Sequence, residues 1–273
     1  MSDVRPDRSR SGMRVTPAGV VLLSAGPGDL ELLTLKAVRA LQQAEVLLLD
    51  ELVNPGIVEL APDARVVRVG KRGGCRSTPQ AFICRLMRRY ALQGLRVVRV
   101  KGGDALLFGR AGEEIAFLQA AGVPVRVVNG ISAAFAAAAD LGVSLTHRGH
   151  CHGLTCVTAH TADHGEPDWD ALARCGTTLA IYMGMGRVGA VRDGLLRTMP
   201  GDTPAAIVLG ASQARSCTRV TTLAALAEVA ASVPDSGLPG VILVGAALAA
   251  ASADASSLPP LPLPLPLPVA ASA

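Results

Sequence analysis

Three observations predict an α/β protein built as two α/β domains with mostly parallel sheets and a cleft between them. Short runs of Val, Leu and Ile are apolar throughout instead of alternating, as strands covered on both faces are. These runs alternate with helical patterns, which is the order of a wound parallel sheet. The alternation also breaks once, at the His- and Gly-rich segment VSLTHRGHCHG, and then restarts.

The first series begins with the strand run GVVLLSAG, a helix over residues 29–44, and the runs EVLLLD and RVVRVG. A helix over 79–92, the run RVVRVKGGD and a helix over 113–121 follow, then VPVRVVNG and the small-residue helix ISAAFAAAADLG. The second series reads LTCVTAH, a helix over 169–174, TTLAIYMG, a helix over 188–199, AAIVLGAS, a helix over 223–231 and GVILVGAAL. The expected domains are therefore residues 18–142 and 143–250. Residues 1–17 form an Arg-rich tail and 251–273 a Pro-Leu repeat that suits neither helix nor interior strand, so both are expected to be disordered.

Composition narrows the function. The chain has 273 residues, 50% of them hydrophobic and 18% charged, which fits a packed body and excludes charge-driven disorder. Aromatics make up 3%, too few for base-stacking platforms, so no nucleic-acid partner is expected. Lys occurs only at positions 36, 71 and 101, leaving 23 of the 26 basic residues as Arg. Guanidinium forks suit carboxylates and phosphates, although a GC-rich genome gives the same bias. Six scattered cysteines in a chain of this size, with no signal-peptide pattern, predict a reduced, cytoplasmic protein. The longest late apolar run, residues 241–251, falls short of the roughly 20 needed to span a bilayer, so no membrane contact is expected.

Several motifs carry candidate chemistry. Gly26-Pro27-Gly28-Asp29 follows the first strand and opens a helix, where backbone N–H groups can approach a ligand, but its spacing is not the dinucleotide fingerprint. Taken alone it reads first as a tight turn with a capping Asp. Lys101-Gly102-Gly103-Asp104 lies at the carboxyl end of its strand, where open α/β sheets bind ligands, and reads as a functional loop. Asp50 and Lys71-Arg72 also end strands, placing an acid and cations at the same edge; a solvated strand end is the simpler account of each alone. The five histidines fall between positions 147 and 164 without CxxC or HExxH spacing, so no metal is expected.

Together GPGDLELLTLKAVRALQQAEVLLLDELV, VGKR, RVVRVKGGDALLFGRAGEE, GISAA, SLTHR, TAH and YMG resemble the uroporphyrinogen-III C-methyltransferase family of tetrapyrrole methyltransferases, in order and spacing, over about residues 19–247. The resemblance implies the tetrapyrrole methylase fold. It implies transfer of methyl groups from S-adenosyl-methionine to C-2 and C-7 of uroporphyrinogen III, giving precorrin-2 by way of precorrin-1, with S-adenosyl-homocysteine as the other product. The product would feed cobalamin or sirohaem synthesis, and the protein would be a homodimer. By the same resemblance Asp50 is proton acceptor and Lys71 proton donor. The cofactor contacts fall on Pro27, Gly102, Gly103, Asp104, Leu107, Ser132, Ala133, Met183, Ala211 and Gly240, and substrate carboxylates on Arg72, Arg110 and Arg148. Where the family's strand end reads YDRLV, this chain has Leu49-Asp50-Glu51-Leu52-Val53, exchanging a phenol for an aliphatic chain and a cation for an acid. Alternative readings are a sister enzyme methylating later precorrins and a non-catalytic tetrapyrrole-binding homologue.

Overall fold

The structure, a computed structural model, describes residues 18–70, 78–160, 165–233 and 236–251. Strands β1 (Val20–Ser24), β2 (Val46–Leu49), β3 (Arg65–Arg68), β4 (Val97–Lys101) and β5 (Val125–Val128) form one sheet in the order β3-β2-β4-β1-β5. All its pairings are parallel. Helices α2 (Gln80–Leu92) and α3 (Ala111–Ala120) cover one face, where Leu22, Leu48 and Val97 meet Ile83, Met87 and Leu118. Helix α1 (Leu35–Gln42) and a 3-10 turn at Pro55–Leu60 cover the other, against Leu23, Leu47, Leu49 and Val100. The uniformly apolar run of β2 and the mainly apolar β4, which also carries Arg99 and Lys101, sit between these layers. Edge strand β3 leaves Arg65, Val66 and Arg68 exposed.

The helix expected over 29–44 is divided. Asp29 caps a 3-10 turn at Leu30–Leu32, Leu33 is extended, and Thr34 starts α1 afresh by accepting from Ala37 N–H at 3.1 Å. A second N-cap inside an apolar pattern breaks the helix even though the periodicity runs through it.

The second sheet is β6 (Leu154–Thr158), β7 (Thr178–Tyr182), β10 (Gly240–Val244), β8 (Pro204–Leu209) and β9 (Cys217–Thr222), in that order. Only β6–β7 is parallel; the β7–β10, β10–β8 and β8–β9 pairs are antiparallel. The expectation of mostly parallel sheets thus describes the first sheet fully, while the second is mixed. Strand β9 was not assigned from the sequence, because CTRVTT has no continuous apolar run; it is a partly exposed edge.

Helices α5 (Trp169–Arg174), α6 (Val188–Leu196) and α7 (Leu226–Ser232) pack one face of the second sheet. Its other face holds α4 (Ala133–Asp140), whose Ala134, Ala137 and Ala138 lie against Ala180, Ala206, Val208 and Leu243. A boundary near Gly142 groups α4 with the first sheet; its packing places it on the second. Chain order could not show this, since an Ala-rich helix fits either face and small side chains on both sides decide the matter by close approach.

Trp169, 2% exposed, lies directly on the backbone of Gly194 in α6. A Cβ there would overlap the Trp169 ring. Gly→Ala in a helix gains about 1 kcal/mol of propensity, but overpacking a tight core costs ~1–3 kcal/mol. Gly194→Ala is therefore expected to destabilise the protein and lower the thermal midpoint by about 2–4 °C, measured by calorimetry.

Candidate active site

Strand order alone opens a crevice at one edge of the first sheet. From β1 the chain crosses past β4 to reach β2, and from β4 it crosses past β1 to reach β5. The two connections leave in opposite directions, with α1 on one face and α3 on the other. A crevice opens beyond the carboxyl ends of two such strands, the usual ligand position in an open parallel sheet.

At this crevice the two glycine motifs join. Gly26 N–H donates to Gly103 carbonyl at 3.1 Å and Gly103 N–H to Gly26 carbonyl at 2.7 Å. Gly103 has φ +65°, and a Cβ on it would meet nothing within 4 Å, so its bare face looks into open space. Asp104 folds the loop that follows, its Oδ1 accepting from Leu106 N–H at 2.9 Å and its Oδ2 from Gly130 N–H at 3.0 Å. Gly130 passes so close to Ser24 that a Cβ would sit 2.6 Å from the serine Cβ. The GISAA segment therefore crosses over the end of β1.

The second sheet brings its own edge. Register pairs Val241 with Tyr182 and Gly240 with Leu209, so Met183, Gly240 and Ala211 follow or begin neighbouring strands along one rim. Met183 is left-handed at φ +54° and half-exposed. Tyr182 lies on the same rim and ties the halves together. Its hydroxyl is 2.7 Å from Ser132 Oγ, accepts from Ala134 N–H at 3.1 Å, and its ring tilts against Phe108 at 5.1 Å. Burial pushes the Tyr182 phenol upward, with the Ser132 and Ala134 hydrogen bonds opposing.

A second seam is made by Ser212, also left-handed, whose Oγ accepts from Asp29 N–H at 3.2 Å and whose own N–H donates to Asp140 Oδ2 at 3.0 Å. Gln213 Nε2 donates to Pro27 carbonyl at 3.3 Å. Beside this seam lies a cleft of ≈ 1150 Å³, bounded by residues 28–30 and 51–55 of the first half and 212–215 and 237–239 of the second.

Beneath the rim is a buried ionic cluster. Arg99 on β4 shares its register with Leu22 and Leu48, pointing into the core, and is 2% exposed. Its Nη2 donates to Asp50 Oδ2 at 2.9 Å and its Nε to Glu114 Oε1 at 3.3 Å. Lys101 Nζ donates to both Glu114 oxygens at 3.2 Å. Burial lowers the Lys101 ammonium from its ordinary value, Arg99 lowers it further, and Glu114 opposes both. Asp50 alone in the cluster reaches solvent, and its Oδ1 accepts from Glu51 N–H at 3.1 Å.

The family model described as Tetrapyrrole (Corrin/Porphyrin) Methylases matches residues 19–227. The chain belongs to this family. A uroporphyrinogen-III C-methyltransferase from Pseudomonas aeruginosa is 58% identical over 194 residues, covering 71% of this chain and 79% of the relative. One from Pseudomonas fluorescens is 47% identical over 236 residues, covering 85% and 94%. The crystal structure of uroporphyrin-III C-methyl transferase from Thermus thermophilus, complexed with S-adenyl homocysteine, aligns with TM-score 0.73 at 39% identity and covers 84% of this chain and 98% of that one.

Among the residues singled out in the sequence, Pro27, Gly102, Gly103, Asp104 and Leu107 belong to the crevice of the first sheet. Ser132 and Ala133 start α4 where it crosses to the second sheet. Met183, Ala211 and Gly240 share the opposing rim. Lys71 and Arg72, and with them His164, lie outside the described residues. Arg110 is left-handed at the start of α3, and Glu113 takes one edge of its fork, at 2.8 and 2.7 Å. Arg148 is exposed in the connecting loop, its carbonyl 2.9 Å from His147 Nδ1. The rings of His147 and His150 lie 4.7 Å apart, and no metal-holding group of His, Cys, Asp and Glu occurs among the described residues.

Arg99, Glu114, Tyr182 and Ser212 escaped sequence reading as site residues. For Arg99 a signal existed: a charge inside VVRVK is out of place in a strand covered on both faces. Tyr182 stood in the YMG motif without its role being read, and Ser212 carried no signal, since the partners of both are far away in the chain. Tyr182→Phe removes one acceptor and leaves Ala134 N–H without its bond. It is expected to cost about 1–2 kcal/mol, read from denaturant unfolding.

Proposed function

We propose that the chain catalyses S-adenosyl-methionine-dependent methylation of uroporphyrinogen III at C-2 and C-7, giving precorrin-2 by way of precorrin-1. The observation that carries this is the 47% identity to the Pseudomonas fluorescens enzyme over nearly the full length of both chains, with the motif loops meeting at one crevice. A sister reaction on a later precorrin, or a non-catalytic role, has no comparable support. The residues suit the cofactor. The open face of Gly103, the exposed left-handed Met183 and the small Ala133 and Ala211 leave room for a bent nucleoside sulfonium against backbone. When bound, S-adenosyl-methionine supplies an activated methyl group on a good leaving group.

The chain's own task is then alignment and proton handling. Pro27, Gly102, Gly103, Asp104, Leu107, Ser132, Ala133, Met183, Ala211 and Gly240 are assigned to cofactor binding. Asp50, held at one oxygen by Arg99 and partly open to solvent, is assigned as proton acceptor, and Lys71 as donor. Arg72, Arg110 and Arg148 are assigned to substrate carboxylates, Arg110 by the edge of its fork that Glu113 does not take. A homodimer located in the cytoplasm, supplying cobalamin or sirohaem synthesis, completes the reading. Among the described residues no helix is long and apolar enough to cross a membrane.

Incubation with uroporphyrinogen III and S-adenosyl-methionine is expected to give a product heavier by two methyl groups by mass spectrometry; an unmodified substrate rejects the reading. Gly103→Val places a branched side chain in the open space at a positive φ. It is expected to weaken S-adenosyl-homocysteine binding at least about tenfold by calorimetry, with the fold retained. Asp50→Asn keeps an acceptor for Arg99 and removes the base. Single-turnover methylation is expected to fall by roughly 10²- to 10⁴-fold while cofactor affinity survives.

A further inference from the structure

The buried charges beneath the crevice are organised about Glu114. Its side chain is fully buried, yet Oε1 accepts from Gln80 Nε2 at 2.9 Å, Arg99 Nε at 3.3 Å and Lys101 Nζ at 3.2 Å, and Oε2 from Lys101 at 3.2 Å. Residues from α2 and β4 thus converge on one carboxylate of α3. Arg99 passes the contact on. Its Nη1 donates to Val100 carbonyl at 3.1 Å and its Nη2 to Asp50 Oδ2 at 2.9 Å, so the guanidinium is held on each side and fixes the acid at the end of β2. Lys101 passes it on in the other direction. Its Cε would lie 3.1 Å from a Cβ on Gly109, so the lysine stem supports the loop between Asp104 and Arg110 from below.

Two cations and two carboxylates make the cluster neutral, but neutrality alone does not require ions. A purely structural need at this depth is met more cheaply by apolar packing, because burying charge costs more than the pairing usually returns. What an ionic hub adds is direction. Its two arms end at the acid beside the cleft and at Gly109, in the loop that follows the open-faced Gly103. Leu52, two residues after Asp50, in turn backs Gly102, 3.4 Å from where its Cβ would be.

We propose that Glu114 is a positioning residue: from beneath the sheet edge it sets the Asp50 carboxylate, through Arg99, in fixed relation to the loop of residues 102–109, through Lys101, which precedes that loop and backs its Gly109. The kinetic part of this proposal rests on the methyl-transfer reading above, and the structural part on geometry alone.

Glu114→Gln keeps the shape and removes the charge. For the folded variant, kcat is expected to fall about a hundredfold, as small displacements of reacting groups do, with KM for uroporphyrinogen III changed less than about threefold. In the uncomplexed protein, amide hydrogen exchange over residues 50–53 and 102–106 is expected to speed at least about tenfold, while Leu22, Leu47 and Leu48 keep their protection. Unchanged turnover and loop exchange would overturn the proposal, as would exchange rising evenly across the sheet, which is the mark of general destabilisation. If Glu114→Gln does not fold, the pair Lys101→Met with Glu114→Gln removes one charge of each sign and leaves the Arg99–Asp50 bond. Its thermal midpoint is expected near the unsubstituted value, with turnover still down at least about tenfold. Turnover recovering together with the midpoint would reduce Glu114 to a balancing charge and overturn the proposal. Failure of the unsubstituted protein to methylate uroporphyrinogen III would instead reject the functional reading, and the exchange measurement would still decide this one.

Discussion

The reciprocal pair of backbone hydrogen bonds between Gly26 and Gly103 closes the first sheet where its connections diverge. Parallel strands end with unpaired N–H and C=O groups, and those of β1 and β4 would face an open crevice. Pairing the two loops in antiparallel sense satisfies these groups locally and curls both chains away from the strand axis. Glycine is needed at both ends because the turn takes each residue to positive φ. The exposed face of Gly103 is the by-product of that constraint. The cradle is thus a consequence of how two strands end.

The opposing wall follows from the path of the chain after β5. Residues 129–132 cross over the end of β1, pinned by Asp104, before α4 settles on the second sheet. Ser132 is therefore covalently near the first crevice while packed with the second half, and Tyr182 meets it there. The seam between the halves includes the polar contacts of Ser212 with Asp29 and of Gln213 with Pro27, and the Phe108 ring against Tyr182. The cleft walls are built from loops and strand ends.

The cost of the arrangement is carried below the rim. Arg99 and Glu114 occupy positions that an aliphatic pair would fill in an ordinary doubly covered sheet. Their mutual bonds, with Lys101, Gln80 and Asp50, leave the cluster closely paired. The same burial that makes Glu114 an expensive core residue also raises the thiol of nearby Cys84, with Glu114 adding to it.

Chain order alone determined the alternating elements, because continuous apolar runs separated by helical periods have few other solutions. The motifs at strand ends were legible for the same reason, since a parallel sheet sends every carboxyl end to one side. Local rules also show why the 29–44 helix divides at Thr34, although periodicity ran through it. What needed the tertiary structure was every pairing across distance. The antiparallel addition of β9 and β10, the transfer of α4 to the second sheet, and the bonds of Tyr182 to Ser132 and Ser212 to Asp140 join residues whose separate sequences carry no sign of each other. Arg99 stands between the two cases. Its misplaced charge was visible in VVRVK, but only packing supplied Glu114 and Asp50 as partners, because a buried cation persists where surrounding elements bring anions to it.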